Sequence, residues 1–429
     1  MTKITINKAP EFLGQEALIK GWVYNFRSSG SLYFLQIRDG LGFIQAIVNK
    51  AEVSAKVWQE CEKITLESSV ELSGKISKHP KKEEYELQVA EIKIVQISQE
   101  YPIGKKDHGP DFLLDNRHLW LRSGKQWAIQ RIRNTVINAI YEFLNKGGYI
   151  KIDSPILTPN ACEGTTTLFE LEYFDLGKAY LAQSGQLYIE AAIFSHGKVF
   201  DFGPVFRAEK SKTRRHLTEF WMMDAEAAFV EHEENMKIQE ELICFVIQKV
   251  LAENAKELEI LERDLEPLKK IKAPFGRITH AEAVKKLNKL GSDIKADDDL
   301  GGDDETLLTQ DSEVPIFVEK WPAAIKAFYM KCDKSDKIAL CDDLIAPEGF
   351  GEIIGGSQRE DDYDTLLKRI KEQKLSVPDF QWYLDLRKYG SVPHSGFGVG
   401  LERLVGWISG THHVRETIPF PRMINRIRP

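Results

Sequence analysis

Alternating apolar and polar residues dominate the first part of the chain. Between residues 17 and 97 they form five short runs separated by turns, and a helix is predicted over 53–61, between the third and fourth runs. A period of two residues is typical of half-buried strands. Five strands with a helix at that point favour a small Greek-key barrel of the OB type, whose face commonly binds single-stranded nucleic acid.

One aromatic pair in this region has a definite geometric consequence. Tyr33 and Phe34 are neighbours on the second predicted strand, so they face opposite sides and only one of them can enter the core. The other faces solvent or a ligand, and Trp22, Arg27 and Arg38 add aromatic and basic groups of the kind that bind nucleic acid. The alternative is that Trp22 and one member of the pair simply fill the core.

From residue 119 onward, the pattern changes to long helices and strand-like runs. Apolar residues at helical spacing predict a helix over 119–145 that ends before Gly147, and further helices are predicted near 231–261 and 361–373. Strands are predicted over most of the remaining apolar runs, among them 181–189, 326–332 and 379–390. Consecutive strands joined by short turns favour an α+β domain with an antiparallel sheet flanked by helices.

The pattern therefore divides the chain into three parts. We expect a barrel over residues 1–100, a linker over 101–118 where Pro and Gly occur without periodicity, and the α+β domain over 119–429. A length of 429 residues also favours two or more domains. The apolar faces of the helix over 119–145 and of the strand after it fit either an ordinary core or a symmetric dimer contact.

Composition excludes several classes of protein. Hydrophobic residues make up 42% and charged residues 29% of the chain, as in soluble globular proteins. No apolar run approaches the roughly 20 residues of a membrane helix, and residues 1–10 lack a secretory signal, so we expect a cytoplasmic location. The five scattered cysteines favour reduced thiols over disulfides or a zinc site. The net charge of −7 is uneven, and residues 293–311 are markedly acidic.

A strongly basic turn between two strands carries the first chemical signal. Arg207 ends the first strand, where it can present a planar fork to a phosphate or carboxylate. Glu209 can orient this arginine or accept from an adenine amine, and Phe220 on the return strand can stack on a base. A solvated surface hairpin is the alternative. The chain has no P-loop or G-x-G-x-x-G unit, so its phosphate site is not of the Walker type.

A glycine-alternating strand over 396–400 carries the second signal. Three glycines strip the side chains from one face, which lets a flat ligand approach the backbone, while Phe397 and Val399 pack on the other face. Glu402 and Arg403 lie in the first turn of the helix that follows, on the ligand side.

A carboxylate in an apolar strand carries the third signal. Glu352 lies in the glycine-rich stretch 349–356, where a carboxylate needs a partner. Either a hard cation that bridges phosphate oxygens or a buried ion pair with an arginine such as Arg359 satisfies this need.

Together these motifs resemble those of class II aminoacyl-tRNA synthetases of the aspartyl, asparaginyl and lysyl subgroup. GGYIKIDSPIL resembles the first class II motif, FRAE and RRHLTEF the second, and GFGVGLER the third. The resemblance covers essentially the whole chain and is greatest to the asparaginyl branch. It implies a homodimer that binds ATP, asparagine, Mg²⁺ and tRNA(Asn), forms an asparaginyl-adenylate, and reads the anticodon with its OB barrel.

The resemblance also implies roles for single residues. Arg207 would hold the α-phosphate and the amino acid carboxylate, Phe220 would stack on adenine, Arg403 would bind the γ-phosphate and Glu352 would hold Mg²⁺. The implied ATP-binding set is Arg207, Glu209, Arg215, His216, Leu217, Phe220, Glu352, Gly400, Leu401, Glu402 and Arg403. The implied amino-acid-binding set is Glu163, Gln183, Gln186, Glu190, Arg207 and Arg359, and the anticodon-binding set is Arg27, Phe34 and Gln45.

Three departures from aspartyl relatives bear on metal binding and specificity. Those relatives often carry a serine where this chain has Gly355, which removes a second side-chain ligand for metal. They carry a lysine at the position of Ile189, so that the pocket here has one cation fewer, and Glu190 adds an anion. We expect Arg359 to donate to the amide oxygen of asparagine and Glu190 to accept from its NH₂ group, which would reject aspartate. The alternative is that Glu190 pairs with a surface lysine.

Other functions stay open at this point. A non-discriminating aspartyl-tRNA synthetase is disfavoured by Ile189 and Glu190, and a small-molecule amide synthetase by the barrel. A non-catalytic RNA-binding paralogue is disfavoured by the presence of Arg207, Glu352 and Arg403.

Overall fold

The protein is described by a computed structural model over residues 1–104, 106–162 and 168–429. The chain forms two compact units, Met1–Leu113 and Leu114–Pro429. The predicted linker, residues 101–118, includes the division between them. Among the described residues, no helix is both long and apolar enough to span a membrane.

The first unit is a closed barrel of five long strands, as predicted. Strand β2 pairs with β5 as well as with β3, which closes the sheet, and the order is β1-β2-β3-β4-β6-β5. The helix lies between the third and fourth long strands, where the sequence places it. The elements are β1 Thr2–Lys3, β2 Glu16–Ser29, β3 Leu32–Arg38, β4 Phe43–Asn49, α1 Ala55–Glu62, β5 Ser69–Lys78 and β6 Tyr85–Gln96.

The second unit is built on an eight-stranded sheet. Its order is β13-β14-β15-β16-β17-β12-β11-β7, and the six central strands are antiparallel while β13 and β7 pair in parallel at the edges. Its strands are β7 Ile150–Lys151, β11 Lys198–Phe206, β12 Glu219–Ala228, β13 Gly276–Thr279, β14 Ile316–Pro322, β15 Ile338–Ala346, β16 Gly351–Gln358 and β17 His394–Gly400. A separate antiparallel sheet of three short strands consists of β8 Leu157–Thr158, β9 Glu170–Glu172 and β10 Lys178–Leu181, with β10 in the centre.

Helices cover one face of this sheet. Alternate residues of β12, such as Met223 and Ala225, join a core with Val136 from α4, Val246 from α6 and Trp407 from α13. The other face carries α5 at one end and α9 and α10 at the other, and its centre is left open for a site. The helices are α2 Pro110–Asp115, α3 Arg117–Trp120, α4 Gly124–Lys146, α5 Gln186–His196, α6 His232–Glu253, α7 Ala255–Ile260, α8 Glu266–Lys269, α9 His280–Lys289, α10 Gly302–Thr309, α11 Tyr363–Glu372, α12 Gln381–Asp385 and α13 Leu401–Ser409.

Three predicted strands are wrong. In 181–189, strand β10 ends at Leu181 and helix α5 begins at Gln186. Gln186, Ile189 and Ile193 are buried at helical spacing, but apolar neighbours on the other sides obscure that period. Residues 326–332 form turns with isolated bridges, and 379–390 contains a short 3₁₀ turn and α12.

Two predicted helices are interrupted. The helix predicted over 119–145 is α4, which begins at Gly124 because the Ser123 hydroxyl caps the backbone N–H of Gln126. The helix predicted over 231–261 breaks at Asn254 into α6 and α7.

Candidate active site

A cavity of about 1050 Å³ opens on the sheet face opposite α4, α6 and α13. Its floor comes from β12, β16 and β17, and its walls include the basic turn after β11 and the start of α10. Most of the residues expected to bind ATP line it, namely Arg207, Glu209, Arg215, His216, Leu217, Phe220, Glu352, Gly400, Glu402 and Arg403. Leu401 instead lies fully buried in the core behind the cavity.

Arg207 follows the last residue of β11 and is fixed by the return strand. Its backbone N–H donates to the carbonyl of Thr218 at 3.0 Å, and its guanidinium lies 6.0 Å from the ring centre of Phe220. Strand pairing of β11 with β12 therefore places an arginine and an aromatic ring beside each other at the cavity wall. This arrangement suits a ligand that combines a phosphate and a base.

Arg403 and Glu352 contact each other across the cavity. One guanidinium nitrogen of Arg403 donates to the backbone carbonyl of Glu352 at 3.0 Å and to its carboxylate at 2.9 Å. Burial acts to raise the pKa of Glu352, but Arg403 outweighs burial and holds that pKa below its usual value. The carboxylate is therefore ionised and available to a cation.

Arg215 is held by the acidic segment noted in the sequence. It donates to the Glu305 carboxylate at 2.6 Å, to the Thr306 hydroxyl at 2.7 Å and to the Gly349 carbonyl at 2.7 Å. Burial and the nearby Glu352 raise the pKa of Glu305 to about 7. Helix α10 thus brings a carboxylate to Arg215, which the family resemblance predicts to bind the triphosphate.

Glu402 and His216 also line the cavity, and both contact neighbouring protein groups. The Glu402 carboxylate accepts from the backbone N–H of Trp221 at 3.0 Å and pairs with Arg133 at 2.7 Å. The ring Nδ1 of His216 lies 3.1 Å from the Ser211 hydroxyl, and burial lowers the pKa of His216. Because Glu402 has partners on both sides, we infer that it positions the start of β12.

Two carboxylates meet over Gly355 on the floor of the cavity. A side chain at Gly355 would begin 3.3 Å from Glu352 Oε1 and 3.7 Å from Asp343 Oδ1. Burial raises the pKa of Asp343 to about 7, with Lys326 opposing and Glu352 adding to the rise. Two crowded hard oxygen donors suit a divalent cation such as Mg²⁺. Among the described residues, no three metal-ligating side chains form a complete site, so phosphate oxygens or water would have to supply the other ligands.

Arg359 lies at the other end of the cavity, just beyond β16. Its Nε and one terminal nitrogen donate to the Glu226 carboxylate at 3.1 Å and 2.9 Å, and its other terminal nitrogen donates to Ser357 at 2.6 Å. Gln186 lines the same end, together with Ser184 and Asp224. Arg359 therefore presents donors into the cavity beside a buried carboxylate.

The structure places Glu190 behind the cavity wall instead of on it. The side chain is fully buried, and its oxygens accept from Gln186 at 3.0 Å, Tyr383 at 2.6 Å and Arg387 at 2.8 Å. The nearest approach of Arg359 to Glu190 is 4.0 Å. Direct contact between Glu190 and a substrate stays a prediction, and this arrangement does not favour it because the oxygens of Glu190 already have donors.

Two other residues expected at the amino acid pocket also lie away from the cavity lining. Gln183 is buried and accepts from the backbone N–H of Cys162 at 3.2 Å. Ile189 packs with Ile193 and Val199 in a small apolar cluster off the cavity. Glu163 lies outside the described residues.

The residues expected to bind an anticodon share the outer surface of the barrel. Leu35 and Ile37 of β3 are buried, while Phe34 faces outward with the Arg27 guanidinium 4.6 Å from its ring centre. The prediction that one member of the Tyr33–Phe34 pair faces away from the core is thus confirmed. Gln45 on β4 donates to Glu86 at 2.6 Å.

Sequence reasoning missed Asp224, Glu226 and Asp343. All three are carboxylates on strands: Asp224 and Glu226 are buried on the face of β12 opposite Met223 and Ala225, and Asp343 is half-buried on β15. The sequence did offer a signal for Asp224 and Glu226, because these two carboxylates lie two residues apart on the predicted strand that carries Phe220. Their relation to the glycines of β17 depends on the pairing of Asp224 with Gly398 and Glu226 with Gly396.

The fold and the cavity define a class II aminoacyl-tRNA synthetase. The family model for class II tRNA synthetases (D, K and N) matches residues 109–424, and the model for the OB-fold nucleic acid binding domain matches 17–95. The chain belongs to this family of synthetases, the ligases that join aspartate, lysine or asparagine to tRNA.

Solved structures of the same family superpose on the whole chain. Asparaginyl-tRNA synthetase from Pyrococcus horikoshii, complexed with asparaginyl-adenylate, is 45% identical with a TM-score of 0.96, and each chain is covered fully. The Entamoeba histolytica asparaginyl-tRNA synthetase, also with asparaginyl-adenylate, is 32% identical, covers 100% of this chain and 99% of its own, and has a TM-score of 0.91. A putative aspartyl-tRNA synthetase from Leishmania major Friedlin is 27% identical over 100% and 95%, with a TM-score of 0.84.

Proposed function

We propose that this protein joins asparagine to tRNA(Asn) in two steps, through an asparaginyl-adenylate. One observation carries the proposal: a single cavity has Arg207, Arg403 and Glu352 at one end and, at the other, Arg359, which is bonded to Glu226. The first end suits a triphosphate, and the second suits a group that both accepts and donates hydrogen bonds. Likeness to two structures solved with asparaginyl-adenylate supports asparagine over aspartate.

The chemistry requires positioning and charge stabilisation but no nucleophile from the protein. The carboxylate of asparagine attacks the α-phosphorus of ATP in line, and diphosphate leaves. Arg207 contacts the α-phosphate and the attacking carboxylate, while Arg403 holds the γ-phosphate, so that both stabilise the negative charge that develops. A terminal ribose hydroxyl of tRNA then attacks the carbonyl carbon of the adenylate, and AMP leaves.

Glu352 and Asp343 would hold Mg²⁺ beside the phosphates. Bound there, the ion would offset the charge of the triphosphate. Arg403 would then exchange its contact with Glu352 for a phosphate oxygen. The raised pKa of Asp343 supports this placement, because a cation would relieve the repulsion between the two carboxylates.

The amide of asparagine would lie against Arg359 and Glu226. Arg359 donates to the amide oxygen, and Glu226 accepts from the NH₂ group while keeping its bonds to Arg359. Aspartate would place a second carboxylate against Glu226 and leave an acceptor unpaired. Gln186 and Asp224, at the same end of the cavity, are placed to contact the rest of the amino acid.

The barrel supplies the contact with tRNA in this proposal. We assign anticodon reading to the first 100 residues, where Phe34 would stack on a base and Arg27 and Gln45 would contact base edges or phosphate. A homodimer and a cytoplasmic location, with residues 101–118 as a linker and 119–429 as the catalytic domain, belong to the same proposal.

ATP–pyrophosphate exchange tests the proposed activity. We expect exchange with asparagine, much weaker exchange with aspartate, and none with lysine. Arg403→Ala should abolish exchange, whereas Arg422→Ala, which removes an arginine outside the cavity lining, should not. Exchange that depends on aspartate as strongly as on asparagine would instead indicate a non-discriminating aspartyl enzyme, and no exchange with any amino acid would indicate a non-catalytic paralogue.

A further inference from the structure

A fully buried charged cluster lies behind the amino-acid end of the cavity. Arg359, Glu226, Glu190 and Arg387 belong to it, and their side chains are between 0% and 4% exposed. They come from separate parts of the chain: Glu226 from β12, Glu190 from α5, Arg359 from beyond β16, and Arg387 from the turn after α12. Of the four, Arg359 lines the cavity, and Glu226 lies directly against it on the same face of the sheet.

Hydrogen-bond donors from three side chains surround the carboxylate of Glu190. Arg387 and the Tyr383 hydroxyl donate to one oxygen at 2.8 Å and 2.6 Å, and Gln186 donates to the other at 3.0 Å. The Nε2 of His394 lies 3.2 Å from the first oxygen. A carboxyl surrounded by donors is ionised, because a protonated oxygen would have to donate to one of them.

Arg387 is fixed where it holds Glu190. Its Nε donates to the carbonyl of Glu360 at 2.8 Å, and its guanidinium lies 4.2 Å from the ring centre of Tyr383. Burial acts to raise the pKa of Glu190, but Arg387 and His394 outweigh it and hold that pKa well below its usual value. Arg387 therefore keeps a negative charge in a place where an isolated carboxyl would be neutral.

As a result, two carboxylates lie next to Arg359 on the side away from the open cavity. Glu226 binds it at 2.9 Å and Glu190 lies 4.0 Å away. A single guanidinium flanked by two anions has little positive charge left to attract a third. It can still donate a hydrogen bond to a neutral carboxamide oxygen.

We propose that Glu190 and Arg387 are positioning residues that determine specificity by setting the charge around Arg359, so that the pocket accepts a carboxamide and rejects a carboxylate. The inference rests on the proposed function and deepens it. Neither residue touches the substrate. Removing the charge of Glu190 leaves Arg359 with one anion, and the pocket then favours aspartate more than before.

The test compares kcat/KM for asparagine and aspartate in pyrophosphate exchange. Glu190→Gln keeps the shape of the side chain but removes its charge, and we expect the aspartate-to-asparagine ratio to rise roughly 10- to 100-fold. Glu190→Asp keeps the charge in a shorter side chain, and its ratio should stay within a few-fold of the wild type. Adding Arg387→Met to Glu190→Gln removes one positive charge and should reverse most of the rise.

The controls separate charge from packing and from overall activity. Lys388→Met removes an exposed cation beside Arg387 that bonds Asp385, and it should leave the ratio unchanged. If Glu190→Gln and the double variant keep the wild-type ratio while Glu190→Asp changes it, shape and not charge sets specificity, and the inference is overturned. If the wild type does not activate asparagine at all, the proposed function fails instead.

Folding of the variants is checked independently by thermal melting. Should Glu190→Gln fail to fold, the double variant and Arg387→Met alone still test the idea by binding of non-hydrolysable asparaginyl- and aspartyl-adenylate analogues. Arg387→Met should then bind the asparaginyl analogue more weakly, and the double variant should regain that affinity. No recovery in the double variant would contradict a role for charge.

Discussion

At the scale of single residues, the cavity is a set of charge pairs that the chain makes with itself. Arg403 bonds Glu352, and Arg215 bonds Glu305. In our proposal, a triphosphate with its cation would exchange these partners: phosphate oxygens would replace carboxylates on the arginines, and the cation would replace Arg403 at Glu352. Each charge stays paired through the exchange, which limits the desolvation cost of binding.

The cation site gives the first prediction at this scale. Asp343→Asn keeps the shape of the side chain but removes its charge, so we expect the Mg²⁺ concentration for half-maximal pyrophosphate exchange to rise about 10-fold. The control is Asp385→Asn, which removes a carboxylate bonded to Gln381 and Lys388 outside the cavity lining. Equal Mg²⁺ dependence in all three proteins would exclude a role for Asp343 in holding the ion.

Asp224 gives a prediction for the pH dependence of stability. Burial raises its pKa from 3.8 to about 7, although Gly185 and Ser184 donate hydrogen bonds that oppose the rise. The folded protein thus holds this proton more tightly than the unfolded chain does. Protonated Asp224 therefore contributes fully to the free energy of unfolding below pH about 4, and this contribution is lost as pH rises to about 7. The wild type should thereby lose up to about 4 kcal/mol in its free energy of unfolding. The side chain in Asp224→Asn cannot titrate, so we expect this variant not to show that loss.

Urea unfolding between pH 4 and pH 8 measures this difference. The wild type should lose stability relative to Asp224→Asn over that range, and the two curves should run parallel above pH 7. Parallel curves over the whole range would mean that Asp224 is ionised throughout.

At the scale of elements, three adjacent strands bring the chemistry together. Strand β17 lies between β12 and β16, and its glycines leave room for carboxylates that project from β12. A side chain at Gly396 would begin 1.9 Å from Glu226 Oε2 and 2.4 Å from the backbone oxygen of Ala225. The glycine therefore makes the buried Arg359–Glu226 pair possible.

Gly396→Ala tests this contact. We expect a loss of roughly 1–3 kcal/mol in the free energy of unfolding, because Glu226 must move away from Arg359 or the two strands must separate. Gly203→Ala is the matched control, since nothing lies within 4 Å of a side chain at that position on β11. Urea denaturation compares the two. Similar stability of both variants would show that the strands accommodate the methyl group without strain.

Elements whose apolar residues recur at a regular spacing could be predicted from the sequence. The partners of the buried charged residues could not. The barrel strands alternate, and Arg207, Glu352 and Arg403 lie in recognisable motifs, so the sequence predicts both. Helix α5 was missed because its residues are apolar on several sides. The pairing of Arg359 with Glu226 depends on the register between β12, β17 and β16, which no local pattern encodes.

At the scale of the whole molecule, two compact units divide the work in our proposal. The barrel has its own core, which includes Ile19, Leu35 and Leu72, and the larger unit has a separate core around its sheet. Since the adenylate site lies entirely in the larger unit, a change on the barrel surface should affect only the step that needs tRNA.

Phe34→Ala tests this division. We expect charging of tRNA to fall about 10-fold or more, because stacking on a base contributes roughly 1–3 kcal/mol. Pyrophosphate exchange should stay near the wild-type rate. Val95→Ala, at another exposed apolar residue of the barrel, should change neither rate. Equal loss in both assays would contradict the assignment of the barrel to anticodon reading.

The central claim is that one cavity holds a triphosphate at one end and a carboxamide at the other. A crystal structure with a non-hydrolysable asparaginyl-adenylate analogue tests it most directly. We predict the phosphate mimic within hydrogen-bond distance of Arg207 and the side-chain amide between Arg359 and Glu226. An analogue bound with its amide away from Arg359, or outside the cavity altogether, would contradict the account.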